Sequence, residues 1–403
     1  MQETSSSDRD GRRLRVLFAA GSGDVAGTLR KWNNAHHDER IFARAYSSEI
    51  YSLAHERSWR LFCFPNNSVT KARAGQIAVF PFPKPKGQGI LFFLNEYRYG
   101  RAIARLAKRL RVDVMIIATG MHPVGLLGAS LANVPMIVSL HNTYWIRSGS
   151  PPKGAKGILL RLSARSLKRR IHKVVAVSEE IRQQVLILWG IDPSRVRVHI
   201  PQYDLQTIPV IDPPVVKPYR ILFAGRAEQY KGIGDIIEAA KIIETTSPGL
   251  CTWVIAGDGS SLSIHRAHAK ALGIERQVEF LGQIDRTKLV NELALSRITI
   301  TPTRKGFNEG LAKLPLEGAI MGRPAIVSSV VPALDLLGEA AEEVRPESPH
   351  EIAEAVKRLC SDDELYMKRR NACGQVRELT SDPSQSFRHH ISESVNSAIP
   401  ELH

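Results

Sequence analysis

Between Glu309 and Glu317 the chain reads EGLAKLPLE, two carboxylates eight positions apart, followed by the small-residue run Gly318-Ala319-Ile320-Met321-Gly322-Arg323-Pro324. A loop opening into a helix here would put Glu309 near the helix start and Glu317 about two turns in, with the unpaired N–H groups of Gly310, Leu311 and Ala312 turned toward an anion. Such a site could hold a diphosphate by its amides and ribose or sugar hydroxyls by its carboxylates. Two surface glutamates at chance spacing are the plainer alternative. Upstream, Gly225-Arg226-Ala227-Glu228-Gln229-Tyr230-Lys231-Gly232 follows an apolar run. A guanidinium fork and a point ammonium on one loop could grip neighbouring phosphates and stabilise a leaving diphosphate. Gly257-Asp258-Gly259 closes another apolar run, and there the glycines read as backbone crowding, a mark of fold and not of catalysis.

These groups need elements to position them. Short apolar β-type runs alternate with helical patterns throughout, the signature of parallel sheets covered by helices. In the first half the runs are Arg15–Ala20, Val112–Ala118, Met136–Leu140 and Lys173–Val177. The first ends in Gly21-Ser22-Gly23, the others in Thr119-Gly120-Met121-His122, His141-Asn142-Thr143 and Ser178-Glu179-Glu180. Ligands of such sheets bind at the carboxyl ends of strands, so these loops are where chemistry is expected. From Pro201 to Tyr219 the pattern lapses into a segment with five prolines, which reads as an interdomain connector. The alternation then restarts with Arg220–Ala224, a helix over about 232–245, Thr252–Ala256, a helix through Ala271, Val278–Leu281, Ile298–Thr301 and Ala325–Ser328. The expected organisation is a polar tail at 1–11, a first α/β domain over 12–205, a second over 206–383, and a last helix, about 384–403, packing back on the first.

Composition narrows the class. The 403 residues are 43% hydrophobic and 24% charged, enough for two cores. No run approaches the roughly 18 apolar residues of a membrane span, and the first 13 residues lack an apolar signal core, so a cytoplasmic chain is expected. Cys63, Cys251, Cys360 and Cys373 are dispersed, which argues against a zinc site or a disulfide framework. The net charge of +15 is uneven: residues 1–210 hold 32 Lys/Arg against 14 Asp/Glu, the remainder 23 against 26. Two acid-free runs, Arg98 to Arg111 and Lys153 to Lys173, supply much of the excess with apolar residues at helical spacing (Ile103, Leu106, Ala107, Leu110; Ile158, Leu159, Leu162, Leu167). Basic amphipathic helices of this kind suit an anionic membrane face, or are simply solvated.

In order and spacing these pieces resemble the retaining GT-B glycosyltransferases of family 4: Gly225-Arg226 with Lys231-Gly232, Gly257-Asp258-Gly259, Phe280-Leu281-Gly282, Glu309 with Glu317, then Gly322-Arg323-Pro324. The first half joins in through Leu140-His141-Asn142 and Val175-Ala176-Val177-Ser178-Glu179. The resemblance covers about 12–395 and implies two Rossmann-like doubly wound domains facing across a cleft, an α/β fold. It implies that a sugar passes with retention from a nucleotide-diphosphate donor to an acceptor, without metal or cofactor. By position, Arg226 and Lys231 would bind the diphosphate, Glu317 the ribose, Glu309 and His141 the sugar. Backbone at Gly282 and Ile284 would take the base, and Gly21 and Gly23 would close over phosphates and acceptor. A glycolipid or polysaccharide precursor is the expected acceptor, with peripheral binding at the inner membrane face and no nucleic acid. Asp8-Arg9-Asp10 lies in the tail and is not expected to bind a metal.

The chain departs from the family pattern at Ala312, where a second glycine is usual, at Ile200-Pro201-Gln202-Tyr203, and in the first glycine loop with its Trp32 segment. Two other readings stand beside this one. Gly21-x-Gly23-x-x-x-Gly27 after a first strand suggests a dinucleotide-dependent oxidoreductase, although the spacing is one residue too long and no acidic strand end follows. The basic half suggests a polyanion or nucleic-acid binder, although stacking aromatics are not interleaved with it.

Overall fold

The computed structural model describes residues 13–399 apart from 22, 35–44, 68–69, 119 and 213–214. The tail with Asp8 and Asp10, the domain start at Arg12, Ser22, Thr119 and the last four residues lie outside the described residues.

Two sheets carry the architecture. The first holds β1 (Arg15–Ala20), β2 (Arg60–Pro65), β3 (Ala72–Ala74), β4 (Ile77–Val79), β5 (Val114–Ile117), β6 (Met136–Leu140), β7 (Lys173–Ala176) and β8 (Val196–Val198), in the order β3-β4-β2-β1-β5-β6-β7-β8. The second holds β9 (Tyr219–Ala224), β10 (Cys251–Ala256), β11 (Val278–Gly282), β12 (Ile298–Thr301), β13 (Ala325–Ser328) and β14 (Ala341–Val344), in the order β11-β10-β9-β12-β13-β14. Every pairing is parallel except β3 with β4. Parallel strands are covered by helices on both faces and so read as continuous apolar runs. RVLFAA in β1 and AIVS in β13 are buried along almost their whole length.

The helices that matter for the site are α1 (Val25–Asn33), α2 (Tyr46–Glu56), α3 (Gly89–Arg109), α4 (Pro123–Ala129), α5 (Gly154–Ser166) and α6 (Glu179–Trp189) in the first half. In the second half they are α7 (Ile233–Thr246), α8 (Leu262–Ala271), α9 (Arg286–Leu295), α10 (Leu314–Ile320), α11 (Leu334–Leu337), α12 (Pro349–Ser361), α13 (Asp363–Leu379) and α14 (Phe387–Ala398). The last of these returns to the first sheet: Phe387, Ile391 and Val395 are buried among Val16, Ile50 and Ile137. The chain therefore crosses between the sheets twice, and the crossings touch where Ile200 N donates to Gln385 O at 2.8 Å and Tyr203 N to Thr380 O at 3.2 Å.

Several strands have no counterpart in the sequence reading. β8 is three residues long and β14 reads AEEV at a sheet edge, so neither carries a long apolar run; β2, RLFCFP, does carry one, buried from Leu61 to Pro65, and the sequence reading passed over it. All four cysteines are free and buried.

Candidate functional site

The carboxyl ends of both sheets open onto one cleft of about 770 Å³. His141, Arg226, Lys231, Ile284, Glu309, Gly310, Leu311, Ala312 and Glu317 all line it, brought from loops up to 176 positions apart. The loop after β6 and the loop before α10 make the contact between the sheets. Thr143 Oγ1 donates to Glu309 O at 3.4 Å, Asn308 Nδ2 to Tyr144 O at 3.4 Å, and Arg147 to Ser329 O and Asp335 at 3.0 and 2.8 Å. Gln184 of α6 stiffens the first loop by accepting from Tyr144 N at 2.6 Å and donating to Trp145 O at 2.9 Å. Gly310 sits where a Cβ would lie 1.9 Å from His141 O, so only glycine lets these backbones meet.

Helix α10 starts later than the spacing predicts. Ala312 is left-handed (φ 68°) and Pro315 stands in the first turn, so the helix opens at Leu314. Glu317 therefore lies in the first turn, not about two turns in, and Glu309 lies in the preceding loop. The alanine in place of a second glycine is thus in a conformation that disfavours a Cβ.

Arg226 and Lys231 lie over an aromatic shelf. Tyr230 and Phe307 stack at 4.2 Å; the Arg226 guanidinium is 5.5 and 5.9 Å from their centroids, and Lys231 Nζ is 4.9 Å from Phe307. Lys231 also pairs with Glu309, whose carboxylate accepts from Thr303 Oγ1 at 3.5 Å. Gly232 (φ 76°) lets this loop pass Pro302 O, which a Cβ would approach to 2.0 Å.

Burial sets the charge states. Glu317 is 6% exposed, and desolvation raises its carboxyl to about 7 against the opposing pull of Lys313 and Arg286. His141 is lowered to about 4 by desolvation and then by Lys313, so its imidazole is neutral at pH 7. Its Nε2 lies 3.0 Å from Ser139 Oγ, while Nδ1 has no partner among the described residues. Arg226 and Lys313 line the cleft beside the Lys231–Glu309 pair, with Asp258 and the raised Glu317 as the other carboxyl groups.

Other expected positions lie apart from the main cleft. Gly282 does not line it; its carbonyl accepts from Gly257 N at 2.7 Å. Gly257 serves close packing, since a Cβ there would be 1.8 Å from Gly225 O. Gly21 and Gly23 line an adjoining chamber of about 450 Å³ that shares Tyr46, His141 and Lys313 with the cleft. Gly27 donates its N–H to Asp24 at 2.9 Å, capping α1, which gives the third glycine of that loop a structural task. Ser178 caps α6, while Glu179 and Glu180 bond Arg182 and Gln184 of the same helix, so that strand end serves the scaffold. Trp32 fastens α1 to α2 through Ser52 at 3.0 Å.

Tyr46, Asn142 and Lys313 line the cleft without having been singled out. The Tyr46 ring lies 4.4 Å from that of His141. Lys313 stands inside the Glu309–Glu317 motif, where its type was legible. Tyr46 carries no motif, and only the fold brings it there.

Residues 206–375 match the family described as "Glycosyl transferases group 1", and residues 21–201 the "Glycosyl transferase 4-like domain". Similar curated proteins include a glycogen synthase of Mycobacterium tuberculosis, 26% identical over 63% of this chain and 61% of its own length. A D-inositol 3-phosphate glycosyltransferase of Corynebacterium glutamicum is 26% identical over 61% of this chain and 63% of its own. The matched stretches thus span about three-fifths of these relatives. Among solved structures, sucrose-phosphate synthase of Thermosynechococcus elongatus superposes with a TM-score of 0.71 at 14% identity, over 96% of this chain and 100% of that one. HepE of Anabaena in complex with UDP and glucose gives 0.64 at 17%, over 96% and 100%.

Proposed function

The chain belongs to the group 1 glycosyltransferases of GT-B fold, and from that premise we propose that it transfers a hexosyl group, with retention, from a nucleotide-diphosphate sugar to a saccharide or lipid-linked acceptor. One observation carries the reading: Arg226, Lys231 and Lys313 converge with Glu309 and Glu317 in a single interdomain cleft. In this reading the diphosphate lies against Arg226, Lys231 and the amides of 310–313, where fixed positive charge favours the extra negative charge left on the terminal phosphate as the glycosidic bond breaks. Glu317 takes the ribose hydroxyls and Glu309 orients the transferred sugar. His141, neutral and held by Ser139, offers a ring nitrogen to a sugar hydroxyl. The acceptor enters from the chamber beside Gly21 and Gly23 and its hydroxyl attacks on the face the diphosphate leaves, its proton passing to the departing phosphate oxygen, with Glu309, already engaged by Lys231 and Thr303, acting as an orienting group and not as a nucleophile. Charge on the leaving group is met by these side chains, with no cofactor in the scheme.

Uridine is the first base to try, because HepE of Anabaena is a structural neighbour that holds UDP. The test is a donor screen with UDP-, GDP- and ADP-sugars, reading nucleotide release by mass spectrometry and binding by thermal shift. Release from one donor class with a matching shift is the expected result; no release and no shift with any nucleotide would refute the assignment.

A further inference from the structure

We propose that Tyr46, His199 and Phe387 are positioning residues: with His141 they form one cluster of four rings that fixes the imidazole in the cleft wall, and through Phe387 the returning helix α14 becomes part of the active site. That the held imidazole serves a sugar rests on the glycosyltransferase reading; the hold itself rests on the rings. His141 follows the last residue of β6, and its side chain makes one hydrogen bond among the described residues, between Nε2 and Ser139 Oγ at 3.0 Å. A single bond leaves an imidazole free to swing about its second side-chain torsion, which is broad for histidine. Contact with neighbouring rings removes that freedom. The Tyr46 ring stands 4.4 Å from that of His141 at an angle of 34°, and His199 and Phe387 lie at 6.1 and 6.4 Å. Tyr46 is in turn 4.8 Å from Phe387 and 5.3 Å from His199, which are 5.2 Å from each other. All six separations fall within or close to the range of paired aromatic rings, so no ring moves without displacing the others.

The rings come from four places in the chain. Tyr46 opens α2 behind Ala45, which has no side-chain group to cap the helix, so ring contacts hold that helix start in place. His199 follows β8 and is fully buried, with no hydrogen-bond partner for either nitrogen among the described residues. Burial keeps it neutral, and His141, His390 and Lys313 depress its basicity further, so no charge beneath His141 pushes that ring toward the cleft. Phe387 opens α14 and is buried. Both supports adjoin the crossing between the sheets: Ile200, next to His199, donates its N–H at 2.8 Å to the carbonyl of Gln385, two positions before Phe387. Tyr46 and His141 line both the cleft and the adjoining chamber, so the cluster forms the wall past which an acceptor would approach the donor.

Tyr46→Leu and Phe387→Leu are made in the full chain, with Tyr46→Phe, which keeps the ring, as the conservative variant. The first readout is the titration of His141, followed by NMR as the imidazole signal that disappears in His141→Asn. Burial and Lys313 hold this group at about 4. Water admitted by either leucine variant should raise it toward the ordinary 6.5, while Tyr46→Phe should leave it low. The second readout is nucleotide release from UDP-, GDP- and ADP-sugars. In both leucine variants kcat should fall about tenfold or more with the KM for the donor little changed, and Tyr46→Phe should restore most of it. An unmoved titration in both leucine variants overturns the proposal. So does a kcat equal to that of the wild type, or a Tyr46→Phe variant as slow as Tyr46→Leu. A titration that moves in a chain that neither binds nor releases any nucleotide would instead refute the glycosyltransferase reading and leave the positioning of His141 intact.

Discussion

Replacing Glu317 by glutamine removes a charge that the fold holds in a desolvated place. Burial raises this carboxyl from 4.5 to about 7, against a pull the other way from Lys313 and Arg286. A raised folded pKa means that the native state binds more protons than the unfolded chain between these values. The stability this confers is fully present below about 4.5 and lost as pH rises through about 7. Each pKa unit is worth about 1.4 kcal/mol, so between pH 5 and pH 8 the wild type should lose roughly 2–3 kcal/mol that Glu317→Gln does not lose. Urea unfolding of both proteins at the two pH values measures the difference. The variant should gain on the wild type as pH rises, and in the same preparations its nucleotide affinity should fall, since an amide cannot accept as two carboxylate oxygens do. Parallel pH profiles would refute the desolvation argument; an undiminished affinity would remove Glu317 from the ribose.

Other perturbations address the neighbouring residues. Gly310→Ala would place a Cβ 1.9 Å from His141 O, and relieving that contact shifts the two loops by roughly 1 Å, enough to cost about a hundredfold in turnover; unchanged turnover would show that the loops need not meet. Ala312→Gly relaxes a left-handed alanine and should raise stability by up to about 1 kcal/mol by thermal unfolding, the release of strain exceeding the entropy given to the unfolded chain. A clear loss of stability would mean the methyl is packed usefully. Lys231→Ala should slow nucleotide release from the donor at least tenfold, about 1.4 kcal/mol of transition-state stabilisation, whereas Glu309→Gln should slow it with nucleotide affinity nearly intact. The reverse pattern would exchange their roles.

Much of this candidate site is legible in the sequence because its residues are local in the chain. Arg226 to Lys231 and His141 each follow a strand with a continuous apolar run, Glu309 follows the alternating ITIT of β12 after a short loop, and strand ends are where such sheets bind ligands. The course of the chain within the motif was not legible, because Ala312 has no intrinsic preference for the left-handed conformation that delays α10 to Leu314. Nor was the approach of Tyr46 to His141, which depends on where the fold sets the start of α2 and on no spacing in the chain. The basic helices illustrate a different limit. Their charge was visible, but period alone assigned Ile158 and Leu162 only to a helix, and the packing of α5 through its small residues turns them outward.

A crystal structure of the protein with the nucleotide-diphosphate sugar it hydrolyses tests the central claim most directly. The account predicts diphosphate oxygens within hydrogen-bond distance of Arg226, Lys231 and the amides of residues 310–313, with the ribose at Glu317 and the sugar between Glu309 and His141. A donor bound elsewhere, or in the cleft with Arg226 and Lys231 turned away from its phosphates, would contradict it.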